Sequence, residues 1–137
     1  PLRASLEHQA ERIGIKPRVR FLGWRDDVES LYGAADIFVC SSRHEPLGNV
    51  VIEAWAHELA VVATNSVGPG DLIEQEKTGV LVPIDNSITL AEALNYLISD
   101  DKLRHSLGQK GRRVYEAGFT EKIVIDKYVN FFKSISN

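Results

Sequence analysis

Cysteine is nearly absent from this 137-residue chain. The one thiol, Cys40, has no partner for an internal disulfide, and its place in the apolar run Asp36-Ile-Phe-Val-Cys40 fits a small core residue in a reducing compartment. Long apolar runs are missing too: none nears the ~20 residues a membrane-spanning helix needs. The chain opens without the charged, apolar, small-residue order of a secretory leader. No Gly-x-x-x-x-Gly-Lys-Ser/Thr occurs, which excludes a P-loop. Ser41 and Ser42 lack the Gly-x-Ser-x-Gly elbow of a serine hydrolase. His8, His44, His57 and His105 stand apart, none with Cys or Asp at ligand spacing, so no metal site is expected. Basic stretches interleaved with aromatics are also lacking, which argues against a nucleic-acid partner.

What is present suffices for one ordinary domain with a core: 44% of residues are hydrophobic and 26% charged. The net charge of −3 is unevenly spread. Residues 44–101 carry one Lys/Arg against ten Asp/Glu, whereas residues 102–137 carry eight against three. The basic residues of the tail recur at helical spacing, as on a solvated helix face.

Apolar runs and helical periods alternate along the chain. Residues 2–13 place Leu2, Leu6, Ala10 and Ile13 on one stripe before Gly14. Arg18–Gly23, Asp36–Ser42, Ala60–Thr64 and Gly79–Pro83 read as strands, the middle two apolar enough to be buried on both faces. Between them lie helices at about 26–35, 48–59 and 68–75. A helix over 87–100 turns Ile88, Ala91, Leu94, Leu97 and Ile98 inward. Residues 101–117 form one helix or two, and a last helix after Thr120 carries Val124, Tyr128, Phe131, Phe132 and Ile135 on one face. Such alternation predicts an α/β fold, a Rossmann-like parallel sheet with helices on both faces. The first helix has no strand before it, so the sheet is expected to lack its first strand and the chain to be part of a longer protein. Ligands of these sheets sit at the carboxyl ends of strands, which draws attention to three segments: Arg20–Arg25, Cys40–Gly48 and Ala63–Gly70.

The third segment has Gly68 and Gly70 but Ile73 where a dinucleotide fingerprint needs its third glycine, so it is a weak match. The second holds more. Gly48 lets backbone approach a ligand, and the helix that starts there offers free N–H groups and the positive end of its dipole to an anion. Glu45 precedes that start. Glu53 lies within the helix on a face with Asn49, Ala56, His57 and Ala60, small enough to leave room beside the carboxylate. Two hydroxyl-binding carboxylates flanking an anion site suit a sugar–diphosphate–ribose ligand. A solvated turn followed by a surface helix would show the same composition.

Glu45-Pro-Leu-Gly-Asn-Val-Val-Ile-Glu53 resembles the Glu-x7-Glu motif of the retaining GT-B glycosyltransferases of family GT4 (glycosyl transferases group 1). Arg18–Pro83 is similar to the donor-binding half of that family nearly end to end, and Pro1-Leu2 resembles the close of its Gly-x-Gly-Pro-Leu segment. The resemblance implies that residues 1–137 are the C-terminal, nucleotide-sugar-binding domain, with an N-terminal acceptor domain outside this chain. It implies that Glu45, as the catalytic residue, orients the donor sugar. Glu53 would bind the ribose, the backbone of Leu47, Gly48, Asn49 and Val50 would contact sugar and phosphate oxygens, and Gly23, Trp24 and Arg25 would meet the base. Arg25 reads equally well as a surface residue.

The reaction implied is transfer of a sugar from a nucleotide diphosphate-sugar to an acceptor hydroxyl with retention, in lipopolysaccharide or other cell-envelope glycan synthesis. No cofactor and no metal are implied. The family's phosphate-binding Arg and Lys precede the segment covered here, so this chain alone is expected to be inactive. Expected partners are the donor and, through the N-terminal domain, a glycan or lipid-linked acceptor. The expected location is the cytoplasm, with the full-length protein peripheral at the inner membrane face. Two other readings share the scaffold: a non-catalytic nucleotide-sugar-binding or interaction module, and a GT-B-fold epimerase, for which a different glutamate spacing is expected.

Overall fold

Ala60-Val-Val-Ala-Thr64 carries no charge and is rich in β-branched residues that pack well on a pleated surface. It forms the central strand, β2 (Ala60–Thr64), buried along its whole length. On either side lie β1 (Ile37–Cys40) and β3 (Val80–Val82), both parallel to it, in the order β1-β2-β3. Phe38 stands opposite Val61, and Val62 opposite Val80. The computed structural model describes residues 2–135. Pro1 and Ser136, the last residue of the helix expected over residues 120–136, lie outside them.

The alternation of β2 divides the core. Val61 and Ala63 pack with Cys40, Val51, Ala54, Trp55, Leu59 and Ile73. Ala60 and Val62 pack with Val80, Val82, Ala93, Leu97 and Leu107. Helix α3 (Asn49–Ala56) covers the first face and α5 (Ser87–Ser99) the second. Helix α6 (Asp101–Gly118) serves both: Leu107 enters the second cluster, while Val114 and Tyr115 pack on the first. A parallel sheet with helices on both faces is thus what this sequence builds.

Trp55 is the largest fully buried side chain, and its indole Nε1 donates to the carbonyl oxygen of Thr78 at 2.9 Å. Phe would keep most of the packing but leave that buried acceptor unpaired, at a cost of about 1–3 kcal/mol. Trp55→Phe is therefore expected to lower the thermal midpoint by several degrees. An unchanged midpoint in a melting scan would show that water replaces the indole.

Several sequence expectations are corrected. Residues 18–23 are not a strand. The chain passes through a short 3₁₀ turn at Lys16–Arg18 and runs on without strand pairing, because it has no neighbouring strand among the described residues. Among the described residues the sheet therefore has three strands, not four. β1 is an edge strand with Val39 39% exposed, so it is not buried on both faces. α1 (Arg3–Arg12) buries Ala10 alone; Leu2, Leu6 and Ile13 face solvent. α5 turns Leu90, Ala93, Leu94 and Leu97 inward, whereas Ile88, Ala91 and Ile98 are exposed, because the docking stripe is rotated from the one its isoleucines suggest. α3 ends at Ala56, so Ala60 is a strand residue and shares no helix face with Glu53. Residues 101–118 form one helix.

The last helix, α7 (Glu121–Ile135), has no buried residue. Tyr128 is 62%, Phe131 58% and Ile135 64% exposed. A shallow apolar groove of about 310 Å³ runs along Val124, Lys127, Tyr128 and Phe131. The apolar face read in its sequence is real, and the described residues do not cover it.

Candidate functional site

Three loops meet beyond the carboxyl ends of the strands. Thr64 Oγ1 donates to the backbone oxygens of Cys40 and Ser42, tying the end of β2 to the chain leaving β1. Asn65 N–H donates to Val82 O at 2.8 Å, which brings in β3, and Arg43 pairs with Asp85 across the same edge. The loop 41–48 is thereby held from two sides.

Its last residues are shaped by two glycines. Gly48, the N-cap of α3, has φ +74°, which a β-carbon disfavours. Gly68, in the first turn of α4 (Val67–Leu72), lies directly against it: a β-carbon there would stand 2.3 Å from Gly48 N and 2.5 Å from Leu47 C. The Gly68 N–H also donates to Glu45 O at 2.8 Å. The chain on either side of Gly48 is thus packed backbone to backbone.

The start of α3 is open. Its cap contributes no side-chain bond, and the N–H groups of Asn49 and Val50 have no acceptor among the described residues. Glu45 is half-buried beside them, and its Oε1 accepts from Gly48 N at 3.0 Å. This carboxylate sits at the positive end of the helix. Nearby, Ser66 Oγ is buried without a partner among the described residues.

Glu53 lies one turn further along α3, outside the buried face. Its Oε2 accepts from the phenol of Tyr32, on α2 (Val28–Gly33), at 2.9 Å. Both line a cleft of about 410 Å³ with Val28, Glu29, Ile52, Ala56, His57 and Tyr115. The Tyr32 ring stacks on His57, with centroids 5.2 Å apart. Burial, then the bond to Glu53, pushes the phenol's pKa up, so the hydroxyl remains a donor at any physiological pH.

The remaining sequence candidates precede α2. Gly23 has φ +71° and turns the chain, and Trp24 is 97% exposed. Arg25 is engaged by both oxygens of Asp27, at 2.6 Å for Nε–Oδ1, and that hydrogen bond lowers the Asp27 pKa. Of the candidates, the structure gathers Glu45, Leu47, Gly48, Asn49 and Val50 at one helix start and puts Glu53 alone in the cleft; Gly23, Trp24 and Arg25 do not line it. Sequence reading missed Tyr32 and Ser66. The i,i+4 pair Val28 and Tyr32 on one face of a short helix was the available signal for the first; nothing in the sequence marks the second.

An open helix N-terminus at the carboxyl edge of a parallel sheet, with a carboxylate to each side, defines a ligand-binding doubly wound domain. The chain belongs to the glycosyl transferases group 1, whose family profile matches residues 1–114. It is 36% identical over 132 residues to the lipopolysaccharide core biosynthesis glycosyltransferase LpsE of Rhizobium meliloti, covering 96% of this chain and 39% of that protein. Against the capsular polysaccharide biosynthesis glycosyltransferase CapM of Staphylococcus aureus the identity is 31%, over 86% of this chain and 31% of CapM. The chain thus spans well under half the length of these relatives.

Among solved structures, Anabaena Alr3699/HepE in complex with UDP matches with a TM-score of 0.91 and 28% identity, over 96% of this chain and 36% of that one. The C-terminal domain of the Francisella tularensis group 1 glycosyl transferase LpcC matches with a TM-score of 0.79 and 30% identity, over 88% and 63%. The fold is that of a GT-B C-terminal domain. No helix among the described residues is long and apolar enough to cross a membrane.

Proposed function

We propose that this chain is the donor-binding domain of a retaining, GT4-type glycosyltransferase that moves a sugar from a nucleotide diphosphate-sugar to an acceptor hydroxyl in lipopolysaccharide or related cell-envelope glycan synthesis. The observation that carries the reading is the open start of α3, with two unpaired amides between Glu45 and Glu53. The amides and helix dipole receive the diphosphate, Glu45 the sugar hydroxyls and Glu53 the ribose. The leaving diphosphate gains charge in the transition state, and preorganised donors at that point lower the barrier. Relatives named for lipopolysaccharide core and capsular polysaccharide synthesis support the pathway class, and the HepE–UDP complex supports a nucleotide ligand.

On this reading Gly23, Trp24 and Arg25 lie toward the base, and the reaction needs no resident metal or cofactor. The acceptor binds chiefly to a domain outside this chain, against which the apolar face of α7 docks. The protein works in the cytoplasm, with peripheral contact at the inner membrane face. Calorimetry with UDP, GDP and ADP should find one of them binding the 137-residue chain weakly, while the same chain turns over no UDP-, GDP- or ADP-sugar. Failure of all three diphosphates to bind overturns the reading. Turnover as fast as that of the natural-length protein would show that the site has been misplaced.

A further inference from the structure

The hydrogen bond between Tyr32 and Glu53 joins two helices at the cleft. Glu53 is exposed, and a glutamate there has three free torsions that a ligand would have to order, at a cost in affinity. Tyr32 has two torsions, and its ring is held by neighbours: parallel to His57 within 15° at 5.2 Å, and tilted against Phe38 at 5.7 Å. A clamped ring thus presents a hydroxyl to a mobile carboxylate. That hydroxyl takes Oε2 alone, and Oε1 has no partner among the described residues.

We propose that Tyr32 is a positioning residue: its O–H holds one oxygen of Glu53 so that the other is presented, already oriented, to a ribose hydroxyl of the nucleotide. The inference rests on the reading of Glu53 as the ribose acceptor. Tyr32 touches no reacting atom, so its effect falls on donor binding rather than on the chemical step. The raised phenol pKa means that the contact persists across the physiological pH range.

The test uses the natural-length protein, with UDP, GDP and ADP in calorimetry and the matching nucleotide sugar in steady-state kinetics. Tyr32→Phe keeps the ring, its stack on His57 and its packing on Phe38, and removes only the hydroxyl. It is expected to raise the Kd of the accepted diphosphate about 5-fold, the scale of one net hydrogen bond. The donor KM should rise by the same factor, with kcat within about 2-fold and an unchanged melting midpoint, as expected of lost uniform binding. Glu53→Ala should weaken binding further, and Tyr32→Phe added to it should cost nothing more, because the hydroxyl then has nothing to hold. Wild-type affinity in Tyr32→Phe, or effects that simply multiply in the double variant, would overturn the positioning role while leaving Glu53 as ribose acceptor. Unchanged affinity in Glu53→Ala would instead remove the parent reading, and the role of Tyr32 with it.

Discussion

In the natural-length protein, if it transfers sugar as proposed, Gly68→Ala is expected to lower that transfer by about 100-fold and to melt several degrees earlier, although residue 68 offers no side chain to any ligand. The reason is the backbone packing at the start of α3. An added β-carbon would lie 2.3 Å from Gly48 N, 2.5 Å from Leu47 C and 2.9 Å from Glu45 O. All three are main-chain atoms, so no rotamer change relieves the overlap, and the loop 45–48 must move. Overpacking of this kind costs about 1–3 kcal/mol in stability. The loss in rate is larger because the displaced atoms carry Glu45 and the open amides, and a shift of roughly 1 Å in a positioning group can cost about 10²-fold. Gly70→Ala is the matched control: its β-carbon would meet the Asn65 side chain, with Oδ1 at 2.6 Å, and that side chain can swing away. Melting scans and initial rates on both variants decide the matter. Equal behaviour of the two would mean that the 45–48 loop yields easily and that its rigidity plays no part in catalysis.

The parts of the fold legible in the sequence are those that this chain completes by itself. β2 reads as a buried strand because all its neighbours, on both sides and both faces, are present. The helix beginning at Gly48 is legible because a left-handed cap followed by Asn-Val-Val-Ile settles it locally. Errors fall where partners are missing or shared. Arg18–Gly23 has the composition of a strand, but composition supplies no neighbour to pair with, and the segment stays outside the sheet. The apolar stripes of α1, apart from Ala10, and of α7 face solvent here, since periodicity announces a face without naming what covers it. α5 was rotated because Ile88 and Ile98 weigh more in an apolar count than Leu90 and Ala93, whereas docking on β2 and β3 favours the smaller stripe.

At the site the sequence located the helix start and both carboxylates, since spacing along one chain suffices for these. It missed Tyr32 because that contact joins residues 21 positions apart across two helices, and no local pattern encodes it. The resemblance to GT4 enzymes supplied the roles of the residues; the geometry supplies the reason those roles are physically open to them.

The two glutamates are expected to fail differently when each is changed to glutamine in the natural-length protein. A nucleotide sugar has hydroxyls at both ends and a diphosphate between, so a carboxylate on either side of an anion-binding helix start meets different parts of it. If Glu53 binds the ribose as proposed, Glu53→Gln weakens a contact that the donor and the bare nucleoside diphosphate share, and both should loosen by about 1–3 kcal/mol if charge-assisted bonds are lost. On the proposed reading Glu45→Gln acts chiefly at the sugar, where positioning matters most near the transition state, so transfer should slow while bare diphosphate still binds.

The structure adds a sign to the second case. Glu45 Oε1 lies 3.0 Å from Gly48 N, at the positive end of α3, where on the proposed reading its charge competes with the incoming phosphates. Glutamine retains an oxygen for that N–H but not the charge, so bare diphosphate should bind Glu45→Gln as well as the wild type or more tightly, never less. Calorimetry with the bare diphosphate and kinetics with the sugar donor separate these outcomes. Equal loss of diphosphate affinity in both variants would end the division of labour between the carboxylates, and unchanged transfer in both would reduce the pair to a solvated turn and a surface helix.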